Sequence, residues 1–172
     1  MEDYKKNKKN LIIMLICMFL TVVILFISFV VTTLFEKENE STTIEYQATF
    51  IRTEKDKNNY IIYVKEYDCK LLLVPSAIIN IDYLMQLENE NIIYFRLVKT
   101  AENLLENPDI EQIGIVALKD NEQDIITLDS YNETVNKQII NVRITGTIFA
   151  GVFLIGAIIN IVKQRKKNHN II

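Results

Sequence analysis

The sequence predicts an α+β membrane protein in which two transmembrane helices flank a small extracytoplasmic β-domain. Three observations carry this. Two uncharged apolar blocks stand near the two ends of the 172-residue chain. Lys and Arg gather on the terminal side of each block, while the segment between the blocks is strongly acidic. Within that segment, short runs alternate apolar and polar residues with period two and are separated by polar turns.

The first block, Leu11 to Phe35, holds 25 residues with no charge and no proline. A helix needs about 20 apolar residues to cross a bilayer. A signal peptide has a hydrophobic region of only roughly 7–15 residues followed by a small-residue cleavage site, whereas this run is longer and continues into "TTLFEKE". The second block, Ile144 to Val162, holds 19 uncharged residues, bounded by Arg143 and by "KQRKK". Lys5, Lys6, Lys8 and Lys9 precede the first block, and Lys163, Arg165, Lys166 and Lys167 follow the second. Positive residues beside spans stay in the cytoplasm, so both termini are expected inside and the intervening segment outside. The expected organisation is a basic cytoplasmic N-terminus over 1–10, a first span over 11–35, an outer domain over 36–138, a second span over 139–162 and a basic cytoplasmic tail over 163–172.

The segment from Glu36 to Gln138 carries 10 Lys/Arg and 20 Asp/Glu, a net charge of −10. That balance argues against nucleic acid as a partner. Cys17 falls in the first block and Cys69 in the outer segment, so no disulfide is expected within one chain. Richness in Ile, Asn and Lys, with no Trp, is the trace of an AT-rich genome. The expected location is the plasma membrane of a low-GC bacterium.

Along the outer segment, Ile44, Tyr46, Ala48 and Phe50 alternate with polar residues and predict a first strand. "YIIYVKEY" predicts a second, "DC" a two-residue turn and "KLLLV" a third. Pro75 ends that strand because it cannot donate to a ladder, and Ser76 is placed to cap a helix through "AIINIDYLMQL". "IIYFRLV" and "QIGIVAL" predict two more strands. Three strands, a helix and two strands is the order of a small five-stranded barrel of the OB type; a plain antiparallel sheet with one helix on a face is the alternative. "SYNE", Ser130 to Glu133, has capping-box spacing, and no Gly or Pro separates it from Ile144. One continuous helix from about Tyr131 to about Lys167 is expected.

Groups for catalysis are scarce. The only histidine, His169, lies in the basic tail, so neither a Ser-His-Asp nor a Cys-His arrangement is available outside. No Gly-rich phosphate loop is present. "DNEQD" has Ile125 and Tyr131 where a calcium loop needs Gly and Glu. No catalytic residue, metal or cofactor is expected. Glu66 and Asp68 read as solvated carboxylates, Cys69 as structural, and the "NET" sequon at Asn132 as chance.

Recognition has more to work with. Tyr63, Lys65 and Tyr67 alternate along the second predicted strand and form the candidate ligand or partner surface. In the spans, Thr21 and Ser28 share one stripe and Gly146, Ala150 and Ala157 another. Small and hydroxyl residues allow close helix packing in lipid. The expected function is non-enzymatic: an interaction or assembly module of the cell envelope, in contact with the bilayer and with a protein partner or a second copy. An accessory subunit of a transporter or secretion complex, or a glycan- or lipid-binding factor, is the alternative.

Overall fold

A computed structural model of the chain describes residues 2–35 and 37–169. Glu36, the first residue of the expected outer domain, and residues 170–172 of the basic tail lie outside the described residues. The elements are α1 (Glu2–Thr33), β1 (Thr43–Asp56), β2 (Asn59–Val64), β3 (Lys70–Leu73), a 3-10 turn (Pro75–Ala77), α2 (Ile81–Gln86), β4 (Ile92–Val98), a second 3-10 turn (Lys99–Leu104), β5 (Gln112–Gly114), β6 (Ala117–Asp120), β7 (Asp124–Ile126) and α3 (Leu128–His169). They divide into two compact units. One is Glu36–Lys137; the other combines Met1–Phe35 with Gln138–Ile172.

The first unit is α+β. Its seven strands form one mixed sheet in the order β5-β3-β2-β1-β4-β6-β7. β1 is long because it serves two partners: its first half pairs with β4, from Thr43↔Val98 to Thr49↔Ile92. Its second half pairs with β2, and a bulge between Phe50 and Arg52 turns it from one partner to the other. The β1–β2 turn places Lys57 at φ 54°, a left-handed conformation that costs a non-glycine residue about 1 kcal/mol.

The expected five-stranded OB-like barrel is corrected to seven strands, and the ladder does not close on itself. "QIGIVAL", expected as one strand, divides at Ile115 and Val116. Both side chains are buried, and their N–H groups go to different strands. Ile115 donates to the Leu72 carbonyl on β3 at 3.1 Å, and Val116 to the Arg96 carbonyl on β4 at 2.9 Å. Continuous apolarity hid this break, because a run buried on both faces shows no change of phase. The wholly antiparallel alternative is corrected too: β3 and β5 run parallel, Lys70 opposite Gln112.

Phe50, Ile62, Leu71, Leu73, Ile93, Phe95, Leu97 and Leu118 fill the core, joined by Leu84 from α2 and Ile125 and Ile126 from β7. Two expected caps move. Ser76 lies inside the 3-10 turn, and Asn80 caps α2 by accepting the Tyr83 N–H at 3.0 Å. At α3 the cap is Thr127, not Ser130. The Thr127 hydroxyl accepts the Ser130 N–H at 3.1 Å, and the Ser130 hydroxyl accepts the Thr127 N–H at 3.0 Å. This is the reciprocal geometry of a capping box with Ser in place of Glu. Glu133 instead pairs with Lys137 one turn on, at 2.8 Å.

The second unit is helical. α1 and α3 each contain a stretch long and apolar enough to cross a membrane, Lys8–Thr33 and Leu128–Lys163. α3 runs unbroken for 42 residues.

Candidate functional site

The structure does not bring Tyr63, Lys65 and Tyr67 onto one face. β2 ends at Val64, and residues 65–69 form a five-residue connection where a two-residue turn was expected. Glu66 organises it: its carboxylate accepts the Thr49 N–H at 2.7 Å and the Thr49 hydroxyl at 2.5 Å. Burial alone would raise the Glu66 pKa, but these two donors hold it below the usual carboxylate value. Tyr63 lies on the outer face of β2. The Arg52 guanidinium sits 4.2 Å from its ring centre and the Lys70 ammonium 5.7 Å, and its hydroxyl donates to Glu54 at 2.7 Å. Tyr67 turns the other way. It meets Tyr46 and Phe95 edge-on, at 6.4 and 6.0 Å between ring centres, and packs against the core. Burial, then the charges of Glu66 and Glu106, push its hydroxyl pKa up. Lys65 is exposed between them.

Cys69 is buried, and its thiol donates to the Leu105 carbonyl at 3.6 Å. Burial first, then Asp68, raises its pKa. It therefore lacks the thiolate character of a reactive cysteine. Among the described residues, no three His, Cys, Asp or Glu side chains converge as a metal-binding group.

One concavity of the β unit was not legible in the sequence. A groove of about 530 Å³ runs over the outer face of β1, β4, β6 and β7, under the connector at Glu38 and the first turn of α3. Cross-strand pairing places its charges. Glu45 and Arg96 are opposite each other on β1 and β4, joined at 3.3 Å. Lys119 on β6 reaches the same Glu45 oxygen at 3.5 Å and lies 5.5 Å from the Tyr94 ring centre. The connector is held by Asn132. Its side-chain oxygen accepts the Glu38 N–H at 2.8 Å, and its amide donates to the Glu38 carbonyl at 2.7 Å. The sequon asparagine is thus a backbone clamp. Its partner is 94 residues away, and no local pattern announces such a contact.

A second polar pair joins α2 to the end of β6. The Tyr83 hydroxyl donates to Asp120 Oδ2 at 2.5 Å, and Asp120 Oδ1 accepts the N–H groups of Glu122 and Gln123 at 2.9 and 2.8 Å. Burial opposes ionisation of Asp120, but the Tyr83 hydroxyl and the two amides hold its pKa below the usual 3.8. Tyr83 is pushed up from 10.0 to about 12, chiefly by its bond to that carboxylate and then by burial. The linkage follows. The depressed Asp120 stabilises the fold above its unfolded pKa, and that contribution is lost as pH falls through its lower folded value. The raised Tyr83 stabilises below pH 10, and that is lost as pH rises through about 12. Urea midpoints measured against pH are expected to fall at both ends, and less so in Tyr83→Phe. In the native protein, tyrosinate absorbance near pH 12 should include a step that Tyr83→Phe removes.

In the helical unit, the five small or hydroxyl residues lie at the α1–α3 contact. Ala150 and Ala157 are buried. The Thr21 hydroxyl donates to the Cys17 carbonyl at 2.9 Å and reaches the Ala150 carbonyl at 3.4 Å. The Ser28 hydroxyl donates to the Ile24 carbonyl at 2.8 Å. A Cβ added at Gly146 would lie 2.7 Å from the Ser28 Cβ and overlap the Ser28 hydroxyl. Glycine is required there by the close approach of the two helices.

No family model and no curated protein matches the chain. Among solved structures, the aspartyl tRNA synthetase from Entamoeba histolytica is similar over 49% of this chain and 19% of that one, at 14% sequence identity and a TM-score of 0.35. At that level neither fold nor activity follows from the likeness.

Proposed function

We propose that the chain is a two-span integral membrane protein presenting an acidic extracytoplasmic β-domain that works as a non-enzymatic interaction or assembly module. The observation that carries the membrane part is the surface of the helices. Phe19, Val22, Phe26 and Phe29 on α1, and Ile148, Val152 and Ile155 on α3, are all exposed. Between residues 138 and 162 of α3, only Gly146, Ala150 and Ala157 are buried, on the side that meets α1. A core helix of a soluble protein would bury this apolar surface; lipid solvates it. The positive flanks support cytoplasmic termini.

An OB-like arrangement of the β unit is part of the same reading. Its support is the pair Ile115 and Val116, neighbours in sequence that bond to β3 and β4. The non-enzymatic reading is supported by a buried Cys69 and by polar side chains that tie down backbone.

Topology is the test. In a Cys17→Ser, Cys69→Ser background, Asn58→Cys in the β1–β2 turn is expected to react with a membrane-impermeant maleimide on intact cells. Asn168→Cys should react only after lysis. Equal labelling of both, or the reverse pattern, would overturn the orientation. Recovery of a partner chain or a second copy in mild detergent is expected for an assembly module; a lone monomer counts against it.

A further inference from the structure

Glu38 is more than nine-tenths buried, 8% exposed, and lines the groove. Its Oε2 accepts the Thr42 hydroxyl at 2.7 Å, while Oε1 accepts no hydrogen bond among the described residues. Buried carboxylates are normally paired with a cation. Glu38 forms no ion pair among the described residues, and neither do Glu40, Asp124 and Asp129 in the same groove. The two cations that line it, Arg96 and Lys119, are both committed to Glu45. The groove therefore holds a buried, uncompensated carboxylate beside three more, with its own cations already engaged.

The size and lining choose among cations. Among the described residues the acids do not converge as a metal-binding group. A volume of about 530 Å³ lies within the roughly 300–1,000 Å³ range of small-molecule sites. Tyr94, Ala117 and Leu128, all partly exposed, line it beside the carboxylates, which suits an alkyl stem carrying a charged head. We infer that this groove binds an organic cation of side-chain size, a guanidinium or alkylammonium group, with Glu38 as its principal charge partner. The cation comes either from a basic side chain of a partner protein or from a free amine. The inference rests on the reading of the β unit as an interaction module and names the chemistry of what it engages.

The probes are agmatine and a blocked Gly-Arg-Gly tripeptide, titrated into the full chain in detergent micelles and followed by amide chemical shifts. Saturable shifts are expected at Glu38, Thr42 and Asn132, and not at Arg52 or Tyr63 on the outer face of β2. Glu38→Gln keeps the size and the Thr42 contact, and should weaken binding roughly tenfold or more, as loss of a charge-assisted hydrogen bond does. Asp129→Asn serves if that variant does not fold, with weakening again expected. Tighter binding of the tripeptide assigns the cation to a protein partner, and tighter agmatine binding to a free amine. No saturable shift, equal shifts with calcium alone, or unchanged affinity in the variants would overturn the inference. The maleimide assay is independent: if it keeps both spans while titration fails, the groove assignment falls and the two-span reading stands.

Discussion

Phe95→Ala is expected to remove about 3–5 kcal/mol from the stability of the β unit, the cost typical of truncating a buried Phe. The ring is fully buried on β4, the strand held between β1 and β6. It stacks on Tyr46 at 5.7 Å between ring centres and takes Tyr67 edge-on at 6.0 Å. Aromatic pairs add about 0.5–1.5 kcal/mol beyond the area they bury. Truncation would open a cavity under β1 and free Tyr67, whose connection between β2 and β3 is otherwise held by Glu66. Two measurements report it in the full chain in micelles. One is urea unfolding followed by near-ultraviolet tyrosine dichroism. The other is the labelling rate of Cys69, 4% exposed in the native fold, in a Cys17→Ser background. Both should shift together, and Phe95→Leu should cost distinctly less. A loss under about 1 kcal/mol would mean the core is not organised around this ring.

Gly146→Leu is expected to be the most disruptive single change in the helical unit. Any side chain at this position meets Ser28, whose Cβ would lie 2.7 Å from the new one. Overpacking of this kind costs about 1–3 kcal/mol, and here it acts on the helix pair directly. Ser28→Gly removes the obstructing atoms, so the double variant should recover part of the loss, a coupling that a double-mutant cycle measures. Gly151→Leu and Gly156→Leu are the controls, since a Cβ at either meets nothing within 4 Å. Thermal midpoints in detergent should fall for Gly146→Leu and stay close to the parent value for both controls. Equal losses at all three glycines would indicate a general effect of helix propensity and no specific contact.

The parts of the fold that were legible in the sequence are those governed by local rules. α1 and the long α3 followed from uncharged length without Gly or Pro breaks in the approach. β1 followed from alternation, and β2, β3 and β4 from short apolar runs bounded by polar turns or proline. What escaped depends on groups far apart in the chain. The β2–β3 connection looked like a continuing strand because Tyr67 keeps the alternation of Ile61 and Tyr63. In the structure Glu66 leaves the ladder to bond Thr49, 17 residues earlier. The caps shifted by a few residues because Ser, Thr and Asn stand close together at both helix starts, and tertiary contacts decide which is used. Ser130, for example, also donates to the Ala77 carbonyl at 2.8 Å. The groove was invisible for the same reason. Its wall combines Glu38, Arg96, Lys119 and Asn132, which no spacing rule connects.

The division of β1 between two partners bears on how safely this unit can be crowded. Unpaired strand edges template aggregation between copies. The fourteen residues of β1 are divided between β4 and β2, so each half is paired along one edge and open along the other. The strands left at the rims, β5 and β7, have three residues each. Rims that short give an incoming chain little to pair with. A net charge of −10 over the segment adds mutual repulsion between copies. When many copies are held side by side, that repulsion opposes pairing at the edges of β1 that its two partners leave open.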